Sequence, residues 1–273
     1  MAETIEKIDW SELLDQALTR EGKLSNVYNR FYEYSFLNQM LLAMQGVYEP
    51  VATYKRWQDM DRQVVRGAQA RSILRPIIIK DRAAKGETVV EDGQEPEGAR
   101  LVGFKLVRCL FPLSETTGKE LPPAPEFPGW NRQTAEERLG ISRIPFDISD
   151  GNVMGYSVGL RYAINPLNPT PDRTAFHEYA HIVRGDTLPS LQDEYRQHRG
   201  RREVVAESIA YLCMHQLGVL DDETALHSRG YIQDWRKGET LSDESVRDIF
   251  RTTDAILRAG RPAVPAEAQP DNS

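Results

Sequence analysis

The chain has 273 residues, of which 40% are hydrophobic and 27% charged, with a formal net charge of −7. That length and composition exclude wholesale disorder and suggest one or two domains, at about 100–200 residues apiece. No run of 18 apolar residues occurs, which excludes a membrane-spanning helix and predicts no membrane partner. The opening MAETIEKIDW carries acidic residues where a secretory signal places a basic cluster, so the expected location is cytoplasmic. The only cysteines, Cys109 and Cys213, form no CxxC pair. They predict neither a disulfide framework nor a thiolate metal cage, and they read as buried small hydrophobes.

Taken in chain order, the apolar spacing predicts amphipathic helices over residues 8–19 and 28–45, with Asn26 as a cap for the second. A short helical segment through Tyr54, Trp57 and Met60 follows the turn at Glu49-Pro50. The β-branched content of 73–79 and 101–110 predicts strands, joined by a hydrophilic loop over 85–100. This order implies a small α+β domain. The stretch PLSETTGKELPPAPEFPG, residues 112–129, has five prolines and no helical periodicity, so it reads as an extended connector. We expect a first domain over 1–115, a Pro-rich linker over 116–129, a second domain over 130–259 and a disordered polar tail over 260–273.

The second domain opens with an expected helix near 133–139. Two short strands, 153–159 and 160–165, lie within and just before GYSVGLRYAINP. Thr170-Pro171-Asp172 then marks a helix start and Gly185 its stop. Further helices are expected over 201–217, ended by Gly218, and near 220–229 and 242–258.

On the helix that starts at Pro171 lies His177-Glu178-Tyr179-Ala180-His181, an HExxH pattern. Two histidines four residues apart stand one turn above each other, about 6 Å along the axis, so both imidazoles can bind one Zn²⁺. Glu178 sits beside them, placed to take a proton from a water whose pKa the ion lowers to about 7. Such a site needs a third protein ligand. The helix RREVVAESIAYLCMHQL offers Glu203 and Glu207 on one face, opposite Val205, Ile209 and Leu212, and either could reach the metal. A His/His/Glu set also suits Mn²⁺ or another divalent ion. The remaining histidines, His198, His215 and His227, read as structural or solvent-facing.

Charge is unevenly spread. Residues 1–111 hold 16 basic and 16 acidic side chains, so the whole negative excess lies beyond them. Within the first part, residues 55–85 carry nine basic side chains against three acidic. Lys55, Arg56, Arg62, Arg66, Arg71 and Arg75 could track the phosphates of a nucleic acid, with Tyr54 and Trp57, and Tyr28, Tyr32 and Tyr34, offering faces for stacked bases.

Two resemblances join these observations. HEYAH followed by EVVAE resembles the gluzincin pattern HExxH…ExxxD/E, which implies Glu203 as the third zinc ligand and Glu207 as the acid that orients a ligand histidine, the reverse assignment staying open. GYSVGLRYAINP resembles the zincin strand that runs along the cleft and pairs with an extended peptide. YEYSFLNQMLLAMQ followed by ATYKRWQDMDRQVVRGAQARSILRP resembles the N-terminal domain of ArdC-type antirestriction proteins, and HExxH with the EVVAE-like element matches the second half of that family in the same order. In that family's helix, Asn38 and Gln39 look like polar scaffold or binding residues. The resemblance implies a small α+β single-stranded-DNA-binding domain followed by a zincin-like, zinc-dependent metallopeptidase domain with an unknown protein or peptide substrate. Two other readings stand beside it: a DNA-coating protein whose zincin site is structural or inactive, and an ImmA/IrrE-like regulatory protease that cleaves a repressor.

Overall fold

A computed structural model of the chain describes residues 7–19, 34–80, 88–89, 99–121, 129–150, 152–188, 199–220 and 241–261, with Ala225, Ser228, Gly230 and Ile232. It mixes α and β structure in two compact units, one built mainly from Asn26–Ala124 and one uniting Trp10–Ser25 with Pro125–Ser273. Among the described residues no helix is long and apolar enough to cross a membrane.

The first unit is a sheet backed by a helix. Helix α2 (Phe36–Met44) is capped by Ser35, whose side chain accepts from Asn38 N, and it buries Phe36, Met40, Leu41, Leu42 and Ala43. This helix therefore begins at Ser35, later than the apolar pattern suggests, because the serine side chain takes one of the N–H groups that a preceding turn would otherwise satisfy. The expected Asn26 cap, with Tyr28 and Tyr32, lies outside the described residues, and Tyr34 is not helical. Strands β1 (Val51–Thr53), β3 (Arg71–Lys80), β4 (Thr88–Val89) and β5 (Ala99–Pro112) form one antiparallel sheet in the order β1-β5-β3-β4. Leu42, Val47, Ile73 and Leu110 make its core against α2, with Tyr34, Tyr48, Val51 and the half-buried Cys109 packed on them. Thr53 caps the short helix α3 (Tyr54–Asp59).

Asn38 and Gln45 explain why a helix lies along the side of β3 that β5 does not cover. Asn38 donates to Leu74 O at 2.9 Å and accepts from Leu74 N at 2.8 Å. Gln45 does the same for Ser72, at 2.8 Å each way. Two carboxamides thus replace a neighbouring strand, since a buried backbone N–H or C=O must find a partner. Gln39 donates to Tyr34 O at 2.8 Å. Asn38 and Gln39 are scaffold.

Two features differ from the expected organisation. The first half of the connector folds into the first unit: a 3-10 turn (Leu113–Glu115) leads into β6 (Thr116–Gly118), which pairs antiparallel with β2 (Arg62–Val64). Arg62 fastens this pair through Thr116 Oγ1 at 2.8 Å, which proline counting does not register. At the other end, helix α1 (Trp10–Thr19) belongs to the second unit despite its place in the chain. Its apolar stripe, Trp10, Leu13, Leu14, Ala17 and Leu18, is buried, and the Arg247 guanidinium lies 4.7 Å from the Trp10 ring centroid.

In the second unit, α4 (Arg132–Leu139) is capped by Asn131 and ended by Gly140 in the left-handed region. Strands β7 (Ser142–Arg143), β8 (Gly155–Val158) and β9 (Arg161–Ile164) form a sheet in the order β7-β9-β8, with β8 at the edge. Helices α5 (Pro171–Arg184), α6 (Arg199–Leu217) and α7 (Asp243–Ala259) complete it. Cys213 of α6 is buried, as expected of a small hydrophobe. Of the segment expected as helix over 220–229, the described Ala225 and Ser228 are helical. Gly260 does not begin a free tail. It packs against Trp130, where an added Cβ would fall 2.1 Å from Trp130 Nε1, and its carbonyl accepts from Asn131 N at 2.8 Å. Residues 262–273 lie outside the described residues.

A polar cluster fixes α5. Glu136 of α4 accepts from Tyr162 of β9 at 2.6 Å and from Tyr179 of α5. Arg132 donates to Tyr179 at 3.2 Å and to Asp172 at 2.6 Å. Burial and the bond to Glu136 push the Tyr179 hydroxyl far up, so it stays a neutral donor. Tyr179 faces away from the His177 side of its helix and thereby sets the helix's rotation.

Replacing Gln45 with Ala leaves the Ser72 N–H and C=O without their partner. We expect a loss of about 1–3 kcal/mol in urea-induced unfolding of the full chain.

Candidate metal centre

Helix α5 presents both motif histidines to α6. His177 Nε2 and His181 Nε2 are 3.1 Å apart, and Glu203 Oε2 lies 3.2 Å from the first and 3.8 Å from the second. Among the described residues these three form the group whose ligand atoms converge enough to hold a metal. In a tetrahedral site with bonds of about 2.0–2.2 Å, ligand atoms stand about 3.3–3.5 Å apart. The spacing found here fits that requirement.

The outer ring nitrogens fix the tautomers. His177 Nδ1 faces Glu207 Oε2 at 3.3 Å and His181 Nδ1 faces Asp186 Oδ2 at 3.0 Å. A carboxylate can only accept, so each Nδ1 carries a proton, and each ring, when neutral, turns its Nε2 lone pair inward. Two inward lone pairs and a carboxylate oxygen are the donor chemistry of a divalent cation.

Glu207 is 2% exposed in its side chain and saturated. It accepts from Arg173 Nε and Nη2, both at 2.8 Å, and from Ser228 Oγ at 2.5 Å, besides His177. Its lone pairs are committed to these donors, so of the two acids Glu203 is placed to serve as third ligand and Glu207 to orient His177. Burial disfavours the Glu207 carboxylate, but His177, Arg173 and Ser228 outweigh it and hold its pKa down to about 2. Burial likewise opposes charging His177, yet the bonds to Glu203 and Glu207 carry its pKa up to about 9. His181 moves upward too, against burial, through Asp186 and Glu203.

Asp186 is a member of the site that sequence reasoning misses. Gly185 adopts φ 79° and ends α5, and Asp186 N then donates to His181 O at 2.9 Å, so the chain doubles back. That turn brings the Asp186 carboxylate beneath His181. Arg184 and Arg202 both donate to it, the second at 3.2 Å, and Arg184 Nε also reaches Asp248 of α7 at 2.7 Å. A Gly-Asp pair just after an HExxH helix is the sequence signal for it. Arg173 and Ser228 carry no such signal, since their partner Glu207 comes from a distant turn.

Glu178 is 7% exposed and lies outside the ligand group found among the described residues. Ser157 Oγ of β8 donates to its Oε2 at 2.5 Å. The edge strand reaches α5 because Gly155 has no side chain: a Cβ there would fall 2.4 Å from Thr174 Cγ2 and 3.0 Å from Ala163 O. Spacing in the sequence singles out neither Gly155 nor Ser157.

The basic stripe of the first unit divides. Lys55 and Arg66 are exposed, Tyr54 is 44% exposed, and Arg56 is half-buried. Trp57, expected to stack on bases, is instead 1% exposed and donates to Phe111 O at 2.9 Å; its rings are core. Arg62 spends its guanidinium on the β2–β6 pair, 6.0 Å over the Trp57 ring. Arg71 is held by Glu115 at 2.6 Å. Neither arginine is available to track phosphates as expected, because backbone carbonyls or a carboxylate already occupy their donors. Arg75 is 6% exposed.

Residues 2–107 match the family model ArdcN, the N-terminal domain of anti-restriction factor ArdC. Two crystal structures of the antirestriction ArdC protein from the R388 plasmid are similar along the chain. The metal-free one is 15% identical, covers 93% of this chain and 96% of that chain, and has a TM-score of 0.46. The Mn(II)-bound one is 14% identical, covers 96% and 100%, and has a TM-score of 0.49. No curated protein matches the chain.

Two expectations follow from the geometry. Asp186→Ala removes the acceptor that fixes the His181 ring, so affinity for Zn²⁺ or Mn²⁺, read by calorimetric titration, falls about 10–100-fold. The second concerns pH. The folded-state pKa of His177, about 9, exceeds its ordinary 6.5, so in metal-free protein this group's stabilisation is full below pH 6.5 and is lost as pH rises through 9. Scanning calorimetry should show the metal-free melting temperature falling over that window. Saturating metal should abolish the fall, because the cation replaces the proton.

Proposed function

We propose that this chain, whose residues 2–107 match the ArdC N-terminal domain model, is an antirestriction protein that binds single-stranded DNA through its first unit and hydrolyses a peptide bond at a divalent-metal centre in its second. The observation that carries the hydrolytic part is the pair of inward Nε2 atoms 3.1 Å apart, each ring pinned from behind by a carboxylate. His177, His181 and Glu203 would hold the ion, with Zn²⁺ suited to the set and Mn²⁺ equally compatible with it. Such an ion supplies Lewis acidity and makes a neighbouring water acidic at neutral pH.

The chain's own residues do the rest. Three protein ligands leave room for water and substrate. Glu178 accepts the proton of the attacking water and can return it to the departing amine, closing the proton balance. Ser157, donating to Oε2, holds that carboxylate in one rotamer and leaves Oε1 for the water. Among the described residues strand β8 is the outer strand of its sheet, so its far side offers N–H and C=O groups to an extended peptide lying beside Glu178. A base outside the ligand set, held by its own hydrogen bond, favours hydrolysis over a purely structural ion.

For the first unit, Lys55, Arg56, Arg66 and Tyr54 are, among the described residues, stripe members that reach solvent and whose donors no carbonyl or carboxylate occupies, and they are suited to a phosphate backbone and a stacked base.

Elemental analysis of purified protein should give about one divalent ion per chain, lost in His177→Ala and Glu203→Ala. Glu178→Gln should keep the ion and the affinity for single-stranded DNA but lose at least about 100-fold in peptide hydrolysis. A chain that takes up no metal after loading with Zn²⁺ or Mn²⁺ would sink the hydrolytic reading.

A further inference from the structure

We propose that Arg75 and Lys105 form a phosphate-binding site on the first unit. The two residues are directly paired across β3 and β5, in the regular part of the ladder between its two irregularities. Directly opposed side chains on neighbouring strands have Cβ atoms about 4.5–5.5 Å apart, and like charges placed so repel. Arg75 is 6% exposed, and its Nε is buried without a hydrogen-bond partner. Lys105 is exposed. Among the described residues neither side chain has an ion pair or hydrogen bond.

Arg71 shows how the same strand treats an arginine kept for structure. It is 8% exposed and, although its Nε also lacks a partner, its two terminal nitrogens are bonded to Glu115 at 2.6 Å and to Gln69 O. Arg75 receives no such partner, and a guanidinium cannot relieve the cost of burial by losing its proton. Two cations fixed side by side, one of them sunk in the protein, need an anion. Its chemistry is set by the donors: the guanidinium fork takes two oxygens of one group and the ammonium a third. A phosphate has that many oxygens and a carboxylate does not. The face beside the pair carries no side chain at Gly103, which lies on the same face as Lys105 and where, among the described residues, an added Cβ would meet nothing within 4 Å.

The phosphate can be that of a nucleic-acid backbone or a free ion. The site deepens the nucleic-acid reading above, which names the backbone, and it does not involve the metal centre. It also adds Lys105, which lies outside the basic stretch of residues 55–85.

The test uses the full chain as wild type, Arg75→Met and Lys105→Met, with two probes: a 20-nucleotide oligo-dT and inorganic phosphate. Binding of oligo-dT should weaken by about tenfold in each variant. The slope of log affinity against log salt should become shallower by about 0.7, since one fewer phosphate is neutralised. Arg75→Met should also melt higher than wild type without ligand, because it removes a buried charge that nothing pairs. Lys105→Met guards against misfolding, since an exposed side chain is replaced. Wild type that binds oligo-dT, with affinity and salt slope unchanged in both variants, overturns the site and leaves the nucleic-acid reading standing. Stabilisation of wild type alone by inorganic phosphate, with no binding of oligo-dT, supports the site and retires the nucleic-acid reading. Neither probe acting on wild type overturns both.

Discussion

The second unit is organised around two imidazole rings that would repel each other if left alone. Each ring is neutral only if one nitrogen is bare, and Glu207 and Asp186 dictate that the bare nitrogens are the ones that face. Everything around them resists the separation that would relieve this. Arg173 and Ser228 immobilise Glu207, while Arg184 and Arg202 immobilise Asp186. Tyr179, two residues from each histidine, is locked to Glu136 on the far side of the helix, so α5 cannot rotate away. In the metal-free molecule a proton on His177, favoured against burial by its bonds to Glu203 and Glu207, eases the repulsion. As a candidate cation site the arrangement is preformed, its geometry kept by hydrogen bonds from behind the rings.

That view divides the carboxylates by environment. Glu207, held by Arg173 and Ser228, and Asp186, held by Arg184 and Arg202, are placed to act through the rings they orient. Glu203 is about a quarter exposed in its side chain and faces the gap between the rings. Glu178 is buried, lies outside that gap and is held by a neutral hydroxyl. Four acids thus stand near one centre with roles set by which donors each has already taken, and sequence spacing supplies only their candidacy.

The HExxH helix, its Pro171 start and its Gly185 stop are legible in the sequence because they are local: a one-turn spacing and two terminal residues suffice. The choice between Glu203 and Glu207 is not, because two acids one turn apart share a helix face and only the partners of each tell them apart. Asp186 is half legible through Gly185; Ser157 and Gly155 are not, since their meaning arises where a strand edge meets a helix. In the first unit the two long strands, β3 and β5, and the short helix at Tyr54 follow from β-branched content and periodicity, whereas the short strands β1, β2, β4 and β6 do not. The charges there mislead, because composition does not say that Arg62 braces a strand pair or that Trp57 sits at 1% exposure. Helix α1 shows the same limit at larger scale: its apolar stripe declares that it packs, without saying on what.

The placement of α1 has a consequence for how the molecule is made. This helix precedes the first unit's strands in the chain, yet the unit to which it belongs is otherwise composed of residues that follow them, and its Trp10 is covered by Arg247 of α7. The first unit, whose strands are complete once β6 has been synthesised, can close while α1 is still waiting. An apolar stripe is therefore left without its native cover while the intervening residues are synthesised, a period in which a chaperone or a wrong hydrophobic partner has the opportunity to occupy it.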